Sequence, residues 1–248
     1  MVKTKEALIM DIRYKRVLLK ISGEALAGKL GKGYDGETLA RVAKQIADAA
    51  KAGAEVAVVV GGGNFWRGRE SLPINRTTSD YMGMLATVMN AMCLSEAVES
   101  FGVKACVQTA FAIEHIAEPF NRKNADELLK NGTVVIFGGG TGCPFFSTDT
   151  TAALRAAEIG ADMILLAKNV DGVYDSDPKT NADAKKFDNI DYMEFVSLNL
   201  KAMDTSAVVL CKENDIPVYV FALEAEKSIE KALAGKLGAG TVIGNFAK

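Results

Sequence analysis

Two cations and two acids, Lys20, Arg67, Asp80 and Asp149, stand near glycine-rich turns and set what this chain can do. Lys20 leads into Ser22-Gly23-Glu24, and Arg67 follows Gly61-Gly62-Gly63-Asn64-Phe65-Trp66. Asp149 ends the run Gly138-Gly139-Gly140-Thr141-Gly142-Cys143-Pro144-Phe145-Phe146-Ser147-Thr148. Glycine turns expose backbone N–H groups, and a helix start adds the positive end of its dipole, so both hold anions. An ammonium and a guanidinium beside such turns suit phosphate. Asp149 at a helix start would repel phosphate on its own; it reads as an orienter of Lys20 or of metal-bound water. Each residue also has a purely structural reading. Lys20 could be a snorkelling edge lysine, Asp80 a first-turn acid on a helix dipole and the glycines plain turn formers. Cys143 could be a small loop residue, and Trp66 reads as packing rather than as a platform for a base.

Other chemistries lack their residues. The sequence has no GxxxxGK[ST] loop, no kinase-type HRD or DFG set and no GxSxG elbow. His115, the single histidine, has no cysteine or carboxylate constellation and reads as a surface or interface residue. Cys93, Cys106, Cys143 and Cys211 show no CxxC spacing, which argues for reduced thiols without zinc. Asp171, Asp175 and Asp177 lack the spacing and terminal glutamate of a calcium loop. What remains suits phosphoryl transfer between two phosphorylated molecules, where alignment and charge neutralisation matter more than a base. Two unit charges about 4 Å apart repel by about 4 kcal/mol at an effective dielectric near 20. Lys20 is the candidate cation between donor and acceptor, helped by the N–H groups of Gly23, Gly62 and Gly63. Magnesium bridging the donor phosphates would touch few protein atoms.

Buried-type strands must position these turns. Arg16 to Ile21, Glu55 to Val60 and Thr133 to Phe137 are near-continuous apolar runs, each ending in a glycine turn. If parallel, they place all three turns at one sheet edge, where open α/β sheets bind ligands. Helical periodicity marks Glu37 to Lys51, and Thr78-Ser79-Asp80 is placed as the cap of a long helix to about Ser100. That helix is read with two inner faces, Met82, Leu85, Met89 and Met84, Val88, Ala91, as core or subunit contact. Further strands are expected over 104–108, 163–166, 218–221 and 241–243. Helices are expected over 124–130, 150–159 and 225–233, and from the cap Asp204-Thr205-Ser206 to about Glu213. Residues 1–14 read as a loose or dimer-contacting arm, 28–36 as a mobile polar loop and 69–77 as a turn-rich excursion. Strand and helix alternate, so the expected fold is a three-layer α/β sandwich around a mostly parallel sheet. One domain is expected over residues 1–248.

With 49% hydrophobic and 24% charged residues the chain has an ordinary globular composition. Its formal net charge of −2 argues against an extended nucleic-acid surface. No apolar run reaches the ~18 residues of a membrane span, and the N-terminus lacks a secretory pattern, so a cytoplasmic protein is expected.

In this order the motifs resemble the amino acid kinase superfamily and, within it, the uridylate kinase family. The resemblance rests on Leu18 to Leu26, Gly61 to Gly68, Asp80 to Asn90, Gly140 to Asp149 and Val170 to Tyr174, and extends from about residue 15 to the end. It implies an amino acid kinase-like fold and transfer of the γ-phosphoryl group of ATP to UMP, with magnesium, in de novo pyrimidine nucleotide synthesis. Lys20 and Asp149 are then catalytic. Lys20, Ile21, Ser22, Gly23, Gly63 and Arg67 meet the ATP phosphates, while Lys168 or Asn169, with Tyr174 and Asp177, borders adenosine; the domain then has an acceptor-binding part to about residue 160 and an ATP-binding part over about 161–248. Gly62, Asp80, Thr141, Gly142, Cys143, Pro144, Phe145, Phe146, Ser147 and Thr148 hold UMP, with Asp80 on the ribose hydroxyls. The resemblance also implies a homohexamer, activation by GTP and inhibition by UTP. The segment Gly28 to Gly33 aligns with one linked to GTP activation. Family members often carry Asn where Cys143 stands and Thr where Ser147 stands.

Two other readings use the same residues. A kinase for a carboxylate or carbamate acceptor would share Lys20 and the Gly62 turn but have little use for Asp80. A nucleotide-binding or storage protein would bind ATP without turnover and would not need Lys20 and Asp149 together.

Overall fold

Strands that are apolar at every position need cover on both faces, and this chain supplies it. The computed structural model describes residues 12–67, 73–178, 180–225 and 227–246. Its first half runs β1 (Arg16–Ile21), α1 (Gly23–Ala27), a 3-10 turn (Gly28–Leu30), α2 (Gly36–Lys51), β2 (Glu55–Val60), α3 (Arg76–Glu99), β3 (Ala105–Thr109) and β4 (Glu118–Pro119). It continues α4 (Arg122–Lys130), β5 (Val134–Gly138), α5 (Thr148–Ile159), β6 (Met163–Lys168), β7 (Val173–Tyr174), β8 (Lys186–Phe187), β9 (Asn189–Asp191) and α6 (Tyr192–Ser197). Last come α7 (Thr205–Glu213), β10 (Val218–Ala222), α8 (Ser228–Leu233) and β11 (Thr241–Gly244).

Among the described residues, nine strands form one sheet in the order β4-β3-β5-β2-β1-β6-β10-β11-β9, and β7 pairs separately with β8. Every pair in the large sheet is parallel except β10 with β11. Strand β1 is the pivot, since β2 lies on one side and β6 on the other. Strands β2 to β5 lie on one side of it and β6 with β9 to β11 on the other, and the carboxyl ends beside that reversal form the crevice where such sheets place ligands. One face is covered by α2, α3 and α8 through residues such as Ile46, Leu94 and Ile229. The other is covered by α4, α5, α6 and α7 through Leu129, Ala153, Phe195 and Val208. The expected three-layer α/β fold is the one observed.

Strand parity then aims the chemistry. In β1, Val17, Leu19 and Ile21 join the α2–α3 core while Leu18 joins the α5 core. Side chains alternate along a strand, so Lys20 shares the α5 face with Leu18. In β6, Ile164 and Leu166 join the α5 core, so Lys168 falls on that face too. The register pairs Lys20 with Leu166, which puts Lys168 one side-chain repeat further along the neighbouring strand.

Several boundaries differ from expectation. Helix α3 starts at Arg76 because Asn75 accepts from Thr77 N at 2.9 Å and takes the cap expected of Thr78-Ser79-Asp80. Asp80 therefore lies a turn inside the helix, not at its dipole end. Of the two inner faces expected for α3, only Met84, Val88 and Ala91 are buried, whereas Leu85 and Met89 face outward with Tyr81 and Met92. Strand β6 runs two residues past Leu166, and α8 begins at Ser228 rather than Ala225. The segment 28–36 contains the 3-10 turn, and Tyr34 packs edge-on against Phe65 with ring centroids 5.2 Å apart. Of the expected N-terminal arm and the excursion over 69–77, residues 1–11 and 69–72 lie outside the described residues, as does Gly68. Arg13 and Tyr14 are not loose: their N–H groups both donate to Leu233 O.

Candidate active site

The crevice begins at a buried charge cluster. Ser147 caps α5, its Oγ accepting from Asp149 N at 3.1 Å and Thr150 N at 3.3 Å. That cap fixes Asp149 in the first turn, directly above the strand ends. Lys20 Nζ lies 2.5 Å from Asp149 Oδ1, with the two residues 5% and 7% exposed. The contact is an ion pair rather than an aligned hydrogen bond. Lys168 Nζ reaches the other oxygen, Asp149 Oδ2, at 3.7 Å. Burial pushes the Asp149 carboxyl up, but Lys20 and then Lys168 outweigh it and hold it below the usual carboxylate range. Burial lowers the Lys168 ammonium below the usual lysine range; Asp149 opposes that shift and Lys20 adds to it.

The first two glycine turns meet beside this cluster. Gly61 N donates to Ile21 O at 2.8 Å, bringing the ends of β1 and β2 together. A Cβ on Gly23 would sit 2.4 Å from Asn64 Oδ1 and 2.7 Å from Gly63 N. One on Gly62 would sit 2.7 Å from Gly83 O, and one on Gly63 2.1 Å from Glu24 Oε1. At Gly23 and Gly62 the close atoms include backbone, so space rather than backbone conformation demands glycine, whereas at Gly63 the Glu24 carboxylate could move aside; the same bareness leaves N–H groups approachable. The turns are held from behind by Asn64 and Asn90, both buried, whose amides bond each other. Asn90 Nδ2 also donates to Gly61 O at 2.6 Å. Ser22 caps α1, its Oγ accepting from Ala25 N at 3.2 Å. Arg67 Nη2 lies 2.9 Å from Glu24 Oε1, so the guanidinium expected on phosphate rests on the rim of the cradle.

Next to the cradle is a cavity of about 610 Å³ between the start of α3, the loop 139–148 and the start of α7. Of the expected acceptor residues, Gly62, Asp80, Thr141, Phe145, Phe146, Ser147 and Thr148 line it. Gly139, Gly140, Gly142 and Phe145 all have positive φ, 80°, 60°, 80° and 72°. A phenylalanine in that region is held against local preference. What holds it is visible: Phe145 N donates to Asp80 Oδ2 at 2.8 Å, and Arg76 lies over its ring. Thr87 Oγ1, buried in α3, accepts from Gly139 N at 2.8 Å and fixes the other end of the loop. Trp66 packs as expected, but on the cavity wall, with Nε1 donating to Ser79 Oγ at 2.9 Å. Gly142, Cys143 and Pro144 are not wall residues. Cys143 is exposed, and its backbone is tied to Thr141 Oγ1. Exchanging Cys143 for Asn should therefore change the kcat and acceptor KM of the purified protein by less than about threefold, as for a surface substitution.

A second cavity of about 370 Å³ collects Tyr174 and Asp177 with Leu198 and Asn199. The Tyr174 hydroxyl donates to Asp171 Oδ1 at 2.8 Å. Asn169 is exposed at the end of β6 and lines neither cavity. Lys168, the alternative to Asn169 beside adenosine, has its ammonium in the charge cluster. Sequence reasoning missed Asp204, Thr205 and Ser206 as wall residues of the larger cavity. Thr150 Oγ1 and Ser206 Oγ are 2.9 Å apart, a contact across 56 residues that no local motif signals. Asp204 is the cap residue of α7, yet its side chain makes no bond to its own helix.

The profile of the amino acid kinase family matches residues 15–222. The UMP kinase of Bacillus anthracis is 37% identical, with 94% of this chain and 97% of that one covered and a TM-score of 0.91. The UMP kinase of Ureaplasma parvum is 36% identical over 94% of this chain and 100% of its own, with a TM-score of 0.88. The uridylate kinase of Archaeoglobus fulgidus is 34% identical over 92% and 99%, with a TM-score of 0.70.

Proposed function

The chain belongs to the amino acid kinase family, and on that premise we propose that it is a UMP kinase, transferring the γ-phosphoryl group of ATP to UMP. The observation that carries this is the pairing of Lys20 with Asp149 beside a cavity walled by Asp80 and the loop 139–148. A cavity of about 610 Å³ has room for a nucleotide and is larger than a carbamate needs.

Donor phosphates lie on the Gly23 and Gly63 turns and the acceptor phosphate near Gly62, with Lys20 between them. An oxygen of the UMP phosphate forms the new bond to the γ-phosphorus. The bond from that phosphorus to the β–γ bridging oxygen breaks, and its electron pair leaves on ADP. Lys20 offsets the repulsion between the two anions, and Asp149 keeps its ammonium aimed at them. Magnesium, arriving on the ATP phosphates, would neutralise part of their charge and would take most of its ligands from the nucleotide and water. Among the described residues no three His, Cys, Asp or Glu side chains converge, and a metal held chiefly by nucleotide oxygens suits that donor set.

Asp80 has two tasks in this reading. Its carboxylate accepts from Arg76 and Phe145 N, and its remaining lone pairs face the ribose hydroxyls. Exchanging Asp80 for Asn should raise the KM for UMP about tenfold to a hundredfold, the worth of one charged hydrogen bond. The KM for ATP should change little. Steady-state kinetics with each substrate varied checks this, and an unchanged KM for UMP would contradict it.

The finer expectations belong to the same proposal. The outward Tyr81, Leu85, Met89 and Met92 on α3 support self-association, up to a homohexamer. Activation by GTP, inhibition by UTP, a cytoplasmic setting and a place in pyrimidine nucleotide synthesis rest on the resemblance alone. No helix among the described residues is long and apolar enough to cross a membrane. The proposal as a whole is tested by incubating the protein with ATP, magnesium and UMP and separating the nucleotides. Equal UDP and ADP are expected; ADP without UDP would refute it.

A further inference from the structure

From the charge cluster we infer that Lys168 serves the phosphates and not the adenine ring, as a second cation for phosphoryl transfer that shares Asp149 with Lys20. The inference rests on the kinase reading above and deepens it. Lys168 ends β6 on the α5 face, and its ammonium is 3.7 Å from Asp149 Oδ2 while Lys20 holds Oδ1. One carboxylate thus serves two ammoniums, and the buried part of the cluster carries one more cation than anion. The second acid facing Lys168, Asp204, is exposed at the edge of the cluster, so the buried positive charge still favours an arriving anion. The two lysines differ in access. The Lys20 side chain is 7% exposed and that of Lys168 24%, so Lys168 stands on the open side of the cluster.

Asp204 adds to this arrangement. Its cap position would normally turn the carboxylate back onto its own helix, but that bond is absent, and Asp204 lines the acceptor cavity. Its negative charge supports the Lys168 ammonium. The charged groups facing Lys168 are therefore Asp149 from α5, Lys20 from β1 and Asp204 from the start of α7. Cys211 of α7 also lies within reach of Asp149, but burial, aided by that carboxylate, pushes its thiol up to about 12, so it stays neutral. Lys168 donates no proton in the reaction. It remains charged while the bond to the bridging oxygen breaks, and it offsets the charge gathering on the departing ADP.

The test is steady-state kinetics of Lys168→Met, Lys168→Gln and Lys168→Arg beside the unaltered protein, with ATP and a second nucleoside triphosphate as donors. The expected result is a kcat at least about tenfold lower for Met and Gln with either donor, as for loss of a charge aimed at the transition state. The KM for UMP should stay within about twofold, and Arg should restore most of kcat. The alkaline fall in kcat should begin below the ordinary lysine range and be absent in Lys168→Arg. Melting curves verify folding, and two neutral side chains of different polarity keep the result readable if one variant unfolds. A normal kcat with a raised KM for ATP, or a changed preference between donors, would overturn the inference and leave the kinase reading standing. An unaltered protein that never phosphorylates UMP would remove both.

Discussion

Replacing Lys20 with Ala should lower kcat about a hundredfold to a thousandfold, the usual loss when a group aimed at developing charge is removed. The KM for UMP should move far less, because Gly62, Asp80 and the loop 139–148 hold the acceptor without Lys20. That split is the signature of an interaction made in the transition state rather than in binding. The placement explains the size. Lys20 is 5% exposed at the end of the central strand, between the turns that would carry donor and acceptor. Its electrostatic effect is less screened there than on the surface. An Ala variant with the kcat of the unaltered protein would refute the bridging role.

Asp149→Asn should damage both activity and stability. The substitution keeps the shape but leaves the Lys20 and Lys168 ammoniums facing each other without their shared counter-charge. Breaking a buried pair by removing one partner costs about 3–5 kcal/mol. In a protein of this size each kcal/mol lowers Tm by about 2–4 °C, so a drop of about 6–20 °C is expected in a thermal melt. The pH dependence carries a sign. In the unaltered protein the Asp149 carboxyl lies below its usual range, so its contribution is complete above the unfolded aspartate pKa and is lost as pH falls through the lower folded value. The Asn variant loses that acid dependence. Burial already lowers Lys168, and without Asp149 it falls further. Between that folded value and the unfolded lysine value near 10.4 the unfolded chain binds more protons, so stability rises with pH. The variant should therefore regain part of its Tm as pH rises toward the unfolded lysine value near 10.4, more than the unaltered protein does. Equal Tm for the two proteins at neutral pH would contradict the shared-counter-ion account.

The legible parts of the site are those encoded locally. Ser147 before Thr148-Asp149 announces a helix start, and the cap is found there. Apolar runs ending in glycine turns announce parallel strands with a common ligand edge, and β1, β2 and β5 form one. The Lys20 to Asp149 pair follows once the α5 start is laid over the end of β1. Less was legible where distant elements decide. The resemblance sets Lys168 or Asn169 beside adenosine, and the strand expected from the apolar run ends at Leu166. Two more residues of β6 set the parity that turns its side chain to Asp149. Asp204 and Ser206 reach the cavity only because α7 packs beside α5, a tertiary fact with no sequence spacing. Leu85 and Met89 were read as inward because a methionine- and leucine-rich helix looks buried all round, whereas α3 is covered on one side only. Asp80 was placed at a dipole end, and Asn75, a cap residue nearer the loop, moved it inward.

The central claim is that the acceptor is the phosphate of a uridine nucleotide. The most direct measurement follows labelled γ-phosphate from ATP, with magnesium, into a set of acceptors: UMP, dUMP, CMP, AMP, carbamate and acetylglutamate. The account predicts strong labelling of UMP and weaker labelling of dUMP, which lacks one hydroxyl for Asp80, with little or none elsewhere. Label on carbamate or acetylglutamate with none on UMP would contradict it.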